Sequence, residues 1–254
     1  MSKVRVSVVL GTVVFCGVAA LGFNHFTGKN TSVTTAVANS FSDLDRHALQ
    51  EQLASYKAKE EADSRLGQYA INAMYKAGAK DRLSDAKKQI LARAIVRVSN
   101  DIFDTEDNKK AFIAVLAIES GFNRFAQSPT GPKGYAQLAK ASFHEAMGDC
   151  GVANLKDEDV WETDLNLYAG ACYFKKLLEN NGGDPYMAII GYNQGPNSEA
   201  LKTYSKYGSM DSLEALKYVA KFTFLKRSIT DKKETGVPAI EELKTPNKSE
   251  PKKK

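Results

Sequence analysis

At 254 residues and 43% hydrophobic, the chain holds enough apolar material for one well-packed domain with accessories or two small domains, which excludes general disorder. Its net charge of +5 gathers at the C-terminus, where Lys244, Lys248, Lys252, Lys253 and Lys254 face only Glu250. Those lysines sit in a Pro-containing, apolar-poor stretch rather than on a helix face interleaved with aromatics, so residues 231–254 read as a disordered basic tail and a nucleic-acid partner is not expected.

From the N-terminus, Lys3 and Arg5 precede an uncharged run, Val6 to Phe23, that would span roughly 27 Å as a helix. Positive charge before the run and little after it orients such a span with the N-terminus inside. Residues 1–26 are therefore expected to be a single-pass inner-membrane anchor, with everything downstream in the periplasm. The competing reading is a cleaved signal, for which Ala36-Val37-Ala38 offers a small-x-small site, and the mature chain would then be secreted. Cys16 lies inside the apolar run, where its surroundings argue against lipid modification.

Residues 27–40 are rich in Thr, Ser, Asn and small residues and read as a linker. Phe41, Leu44, Ala48, Tyr56, Leu66, Tyr69 and Ala73 then recur among charged residues up to Gly78, predicting a helical stalk or accessory hairpin that completes the segment 27–85. From Ser84, the residues Ile90, Ala94, Val98 and Ile102 mark one face of an amphipathic helix. Thr105, Glu106 and Asp107 supply a cap and acidic first turn for the next. Further helices are signalled by Leu165 to Leu178, by the Asp184-Pro185 pair before Ala188 to Tyr192, and by Leu213 to Leu225. No strand-like alternation and no repeat is present, so the domain expected over 86–230 is mostly α-helical.

Cys150 and Cys172 are the cysteines outside the apolar run. In an oxidising compartment they either pair or remain two half-buried thiols, and spacing alone does not decide which. His25, His47 and His144 are scattered, so neither a metal site nor a cofactor is expected.

One residue is out of place. Phe112, Val115 and Leu116 form an apolar stripe that Glu119 continues, putting a carboxylate where a core residue belongs. Ser120 and Gly121 then stop the helix. Burial and the negative end of the helix dipole would both raise the Glu119 pKa, which suits an acid that keeps its proton near neutrality and donates it to a leaving oxygen. A structural carboxylate paired with a cation is the other reading of this segment taken alone.

Glu119-Ser120-Gly121-Phe122-Asn123 is followed in order by Ala126, Ser128, Gly131, Gly134, Gln137, Asn166, Gly170 and Tyr192-Asn193-Gln194-Gly195-Pro196. Over roughly Ile90 to Tyr218 this series resembles the lytic transglycosylase family, akin to the soluble lytic transglycosylase and goose-type lysozyme catalytic domain. The resemblance implies a lysozyme-like helical fold and cleavage of peptidoglycan between N-acetylmuramic acid and N-acetylglucosamine, with a 1,6-anhydro product. It assigns Glu119 as sole catalytic acid and base. Ser128, Gln137, Tyr192, Asn193, Glu214 and Tyr218 match cleft positions implied to contact substrate or shape the site. Glu145, Asp149 and Asp164 are the candidates for a second carboxylate, which a hydrolase of lysozyme type would need. The chain departs from the family pattern at Pro132, Lys133, Tyr135, Ala136, Ala139, Lys140, Ala215 and Leu216, which bears on subsite contacts. A non-catalytic glycan-binding scaffold is the third reading. A tethered enzyme of this kind suits local wall opening for secretion, conjugation or phage machinery.

Overall fold

A computed structural model of the chain describes residues 43–79 and 82–229. The expected anchor, the 27–40 linker and the basic tail lie outside these residues. Among the described residues no helix is long and apolar enough to cross a membrane. The chain divides into two compact units, up to Lys59 and from Glu60 onward. The described part of the first unit is the start of helix α1 (Asp43–Lys76), whose residues 50–59 are exposed, as their charged composition requires.

The second unit opens with the rest of α1, and here the helix changes character. Leu66, Tyr69, Ala70, Ile71, Ala73 and Met74 are buried and belong to the same hydrophobic cluster as the helices that follow. The compact unit thus begins well before residue 86, where the pattern of charged and apolar residues had suggested a boundary. A short turn around Gly78 leads into α2 (Asp85–Ile102), whose N-cap Ser84 accepts from the Lys87 amide.

The buried face of α2 is set by Leu91, Ala92, Ile95, Val96, Val98 and Ile102. Ile90, predicted to lie on it, is 61% exposed. A strict spacing of four drifts by about 40° per step around a helix of 3.6 residues per turn, so the predicted stripe leaves the core by its N-terminal end. Ile90 instead lines an open cleft with Leu83, Lys87, Phe122 and Phe125.

Helix α3 (Glu106–Glu119) starts at Thr105, whose hydroxyl accepts from the Asn108 amide, as its sequence predicts. Every residue from Ala111 to Ala117 is buried, so α3 is apolar all round and runs through the centre of the domain. Phe103, Phe112 and Phe174 pack their rings beside it at centroid separations of 5.5 to 6.5 Å.

After an irregular stretch come α4 (Lys140–Asp149), a 3-10 turn (Asp157–Trp161), α5 (Thr163–Asn180), α6 (Pro185–Gln194), α7 (Glu199–Tyr207) and α8 (Leu213–Ser228). Helix α5 packs against α2, α4 and α6, while α8 packs against α3 and α6. The Asp184 carboxylate caps α6 by accepting from the Tyr186 and Met187 amides, with Pro185 in the first turn, as its sequence predicts. Among the described residues β structure is limited to isolated bridges, Gln127 with Lys133 and Lys133 with Leu138. The described fold is mostly α-helical.

Cys150 and Cys172 form a disulfide with their Cα atoms 6.2 Å apart, tying the end of α4 to the middle of α5. Closing a loop of 22 residues in the unfolded chain contributes about 3 kcal/mol. Reduction with dithiothreitol is expected to lower the thermal melting temperature by several degrees. Coincident melting curves with and without reductant would show that the bond contributes nothing.

Candidate active site

The last residue of α3 is Glu119, carried by a helix buried almost to its end. Ser120 closes the helix by donating its amide to the Leu116 carbonyl at 3.3 Å. Gly121 and Phe122 then both take left-handed backbone, with φ of 57° and 60°. That conformation suits glycine, whereas in a phenylalanine it marks a strained position. The Phe122 ring is fully buried, and its amide donates to Ser120 Oγ at 3.1 Å, so the chain turns sharply just beyond the carboxylate.

The Glu119 pKa is pushed up to about 7, primarily by burial; a hydrogen bond from Tyr218 and the nearby Lys221 charge pull in the opposite direction. Tyr218, on α8, donates its hydroxyl to Glu119 Oε1. Tyr192, on α6, is buried nearby, and its phenol is held well above its usual range by burial and then by the Glu119 charge. Three helices that are remote in sequence thus bring a carboxyl group and two phenols together. With Oε1 occupied by Tyr218, the proton of the neutral acid is left to Oε2. The arrangement thus leaves Oε2 as the oxygen able to donate a proton, at a pH near neutrality.

Joined to this group through Tyr192 is the 126–138 loop, which is held by hydrogen bonds as well as by the buried side chains of Tyr135, Ala136 and Leu138. Gln137 has a positive φ of 48°, and its side-chain amide donates to the carbonyls of Ala126 and Gly134, both at 2.9 Å. Its NH2 group is therefore spent on holding the loop. Ser128 likewise closes a turn, with its hydroxyl 2.9 Å from Thr130 Oγ1 and its amide donating to the Pro132 carbonyl. These two residues are expected at substrate, and the Gln137 NH2 and the Ser128 hydroxyl also bond within the loop.

Asn166, on α5, fixes that loop from below. Its Oδ1 accepts from the Ala136 amide at 2.9 Å, and its Nδ2 donates to the carbonyls of Val160 at 3.0 Å and Lys133 at 3.3 Å. The side chain is 1% exposed, and its bonds to Ala136 and Val160 form away from water. Gly134 passes so close that a Cβ there would lie 2.3 Å from Asn166 Nδ2, and its φ of 77° favours glycine independently. A Cβ at Gly170 would lie 2.4 Å from that of Ala136, so α5 must offer a bare backbone where the loop rests on it. Tyr192 completes the frame by donating its hydroxyl to the Ala136 carbonyl at 2.7 Å.

Of the other expected site residues, Asn193 is half-buried and accepts from Gln194 Nε2 at 2.6 Å, while Glu214 is exposed on the first turn of α8, one turn before Tyr218. The candidate second carboxylates are engaged elsewhere. Glu145 and Asp149 both pair with Lys176, at 2.7 and 2.8 Å, and Asp164 pairs with Arg97 at 2.7 Å. Sequence reasoning left Asn166 and Gly170 as mere landmarks and passed over Lys221. The signal for Asn166 was available: a polar residue between Leu165 and Leu167 on a helix that buries this face.

Replacing Tyr218 by Phe is expected to raise the Glu119 pKa above about 7, because the bond that favours the carboxylate is gone. In a pH profile the upper limb should move to higher pH, and the maximal rate should fall on the order of tenfold as the carboxyl loses its orientation. An unchanged limb would show that the phenol does not act on the acid.

Solved structures similar to the chain include an inactive mutant of the lytic transglycosylase Slt from Pseudomonas aeruginosa, at 19% identity and a TM-score of 0.42, covering 54% of this chain and 22% of that one. The 70 kDa soluble lytic transglycosylase from Escherichia coli is similar at 15% identity and a TM-score of 0.42, over 65% of this chain and 28% of that one. The chain thus matches about a quarter of the length of either protein. Residues 103–212 match the family model described as the transglycosylase SLT domain. That segment includes Glu119, the hydrogen-bonded loop, Asn166 and Tyr192, and over it the chain is similar to the transglycosylase SLT domain.

Proposed function

We propose that this chain is a peptidoglycan lytic transglycosylase with a lysozyme-like catalytic domain, in which Glu119 acts in turn as general acid and general base. The observation that carries the reading is a carboxyl group at the end of a buried helix, with its pKa raised to about 7 by burial and no candidate second carboxylate turned toward it.

Protonated Glu119 donates from Oε2 to the oxygen linking N-acetylmuramic acid to N-acetylglucosamine. The bond from C1 to that oxygen breaks, and an oxocarbenium-like centre forms. The Glu119 carboxylate then takes the proton of the C6 hydroxyl of the same muramic acid residue as O6 closes onto C1. The acid is regenerated, no water is consumed, and the product is a 1,6-anhydro sugar. An intramolecular hydroxyl already held near C1 replaces the water that a second carboxylate would otherwise activate. A pKa near 7 serves both halves, since the group must give up a proton and recover one in each turnover.

Digestion of purified peptidoglycan in H2-18O separates this reading from its competitors. Released fragments should carry no heavy oxygen at the new terminus. Incorporation of one label per cleavage would identify a lysozyme-type hydrolase, and the absence of any release would favour a glycan-binding scaffold.

The site is proposed to lie on the periplasmic side of an inner membrane, tethered through residues 6–23; the uncharged run behind Lys3 and Arg5 supports this. Carbonate extraction of membranes should leave the full-length chain in the pellet. A soluble form beginning shortly after Ala38 would mean that the segment is removed as a signal.

A further inference from the structure

The turn between α1 and α2 lies outside residues 103–212, yet it touches the chain just past Glu119. Arg82 Nη2 donates to the Gly121 carbonyl at 2.5 Å. A Cβ at position 121 would stand 3.0 Å from the same nitrogen and 3.3 Å from the Ala77 carbonyl, so the turn fits closely against this glycine. Gly121 and Phe122 hold consecutive left-handed conformations, of which the second is costly for a bulky residue and persists only where its surroundings over-determine it. The buried Phe122 ring supplies one constraint and the Ser120 hydroxyl a second. The guanidinium supplies the third.

Arg82 is itself held in place. Tyr75, near the end of α1, donates its hydroxyl to Asp85 Oδ1 at 2.9 Å, and Lys88 pairs with the same oxygen at 3.0 Å. The Lys88 ammonium also lies 4.3 Å from the centre of the Tyr75 ring, and Lys88 is only 3% exposed. The Leu83 amide donates to the Ala79 carbonyl at 3.0 Å. These contacts join described residues on either side of Arg82, whose own amide donates to the Ala79 carbonyl at 3.2 Å. Helix ends fray, and α3 would fray at the residue that carries the carboxyl group.

We propose that Arg82 is a positioning residue for Glu119: by holding the Gly121 carbonyl it keeps the last turn of α3 wound and the carboxyl group out of water. The effect on rate rests on the reading of Glu119 as acid and base, whereas the effect on its surroundings does not.

The test is a carboxyl 13C NMR titration of protein labelled at glutamate, with the Glu119 resonance identified by its absence in Glu119→Gln. In Arg82→Met the Glu119 midpoint should fall from about 7 toward the ordinary 4.5, because water reaches the loosened turn. Peptidoglycan release should drop about tenfold while the melting temperature stays within a few degrees. Arg82→Lys, which keeps a donor on a long stem, should restore the midpoint. Where Arg82→Met does not fold, Arg82→Gln, with a donor too short to reach the carbonyl, takes its place. An unchanged midpoint in the folded variant overturns the proposal, even if stability falls. A wild-type protein that cleaves nothing would overturn the proposed activity but leave the titration to decide the role of Arg82.

Discussion

Replacing Glu119 by Gln should lower peptidoglycan cleavage by about a thousandfold, the range in which a positioned general acid and base acts, and should at the same time make the protein more stable in mild alkali. The second effect follows from the first residue property. In the fold Glu119 holds its proton up to about pH 7, whereas in the unfolded chain it releases it near 4.5. Between those values the folded state binds more protons, so stability falls as pH rises through this window. The favourable contribution is complete below the unfolded value and gone above the folded one. The loss is on the order of 3 kcal/mol, a sizeable part of the stability of an ordinary domain. Gln keeps the shape and never ionises, so chemical unfolding of the variant should show this slope removed. At pH 4 the two proteins should be about equally stable, and at pH 8 the variant should unfold at higher denaturant. A variant that is inactive and also less stable at pH 8 would mark Glu119 as a structural group.

Asn166→Leu is expected to be among the most damaging single changes in the domain. It retains side-chain volume but leaves the Ala136 amide and the carbonyls of Lys133 and Val160 without their partner. Buried polar groups stranded in this way cost about 1–3 kcal/mol each, although the loop relieves part of this by moving toward water. A total of roughly 3–5 kcal/mol should lower the melting temperature by about 10 °C or more, and cleavage should fall further than the folded fraction does because the loop joined to the site through Tyr192 is loosened. Asn166→Asp is the informative companion, since a carboxylate still accepts from Ala136 but turns a negative charge on the two carbonyls. A leucine variant that melts within a degree or two of wild type would show that the loop does not depend on this side chain.

The features legible in the sequence are those that depend on neighbours along one helix. The partial burial of Glu119 followed from the apolar residues three, four and seven positions before it, and the helix end followed from Gly121. The caps at Thr105 and Asp184 were equally local. Ile90 shows the limit of such reasoning: its spacing was helical, but the stripe drifted and the packing of α2 turned the residue into a cleft. The buried half of α1 was hidden for a different reason: residues 66–74 carry no charge and are buried all round, but the charged residues that precede them made the whole helix read as one stalk. Helices α4 and α7 are short and have too few turns for periodicity to announce them.

The frame of the site was harder to read because it is held by bonds between distant segments. Gln137 and Ser128 carry groups suited to sugar hydroxyls, and in their own loop the Gln137 NH2 bonds to backbone carbonyls while the Ser128 hydroxyl bonds to that of Thr130. Nothing in the local sequence distinguishes an amide that faces a ligand from one that braces a turn. The disulfide was open for the same reason, since pairing depends on how α4 lies against α5. Arg82 sits ahead of the residues that resemble the family, and its bond to Gly121 appears only when the turn and the helix end are seen together.

Internal transfer of the cleaved sugar under the control of one carboxyl group is tested most directly by the mass of the released muropeptides. Purified peptidoglycan digested with the wild-type chain should yield fragments lighter by one water than those from a hydrolase, ending in 1,6-anhydro sugar, and digestion with Glu119→Gln should yield none. Fragments with ordinary reducing ends, or anhydro fragments released equally well by the variant, would contradict it.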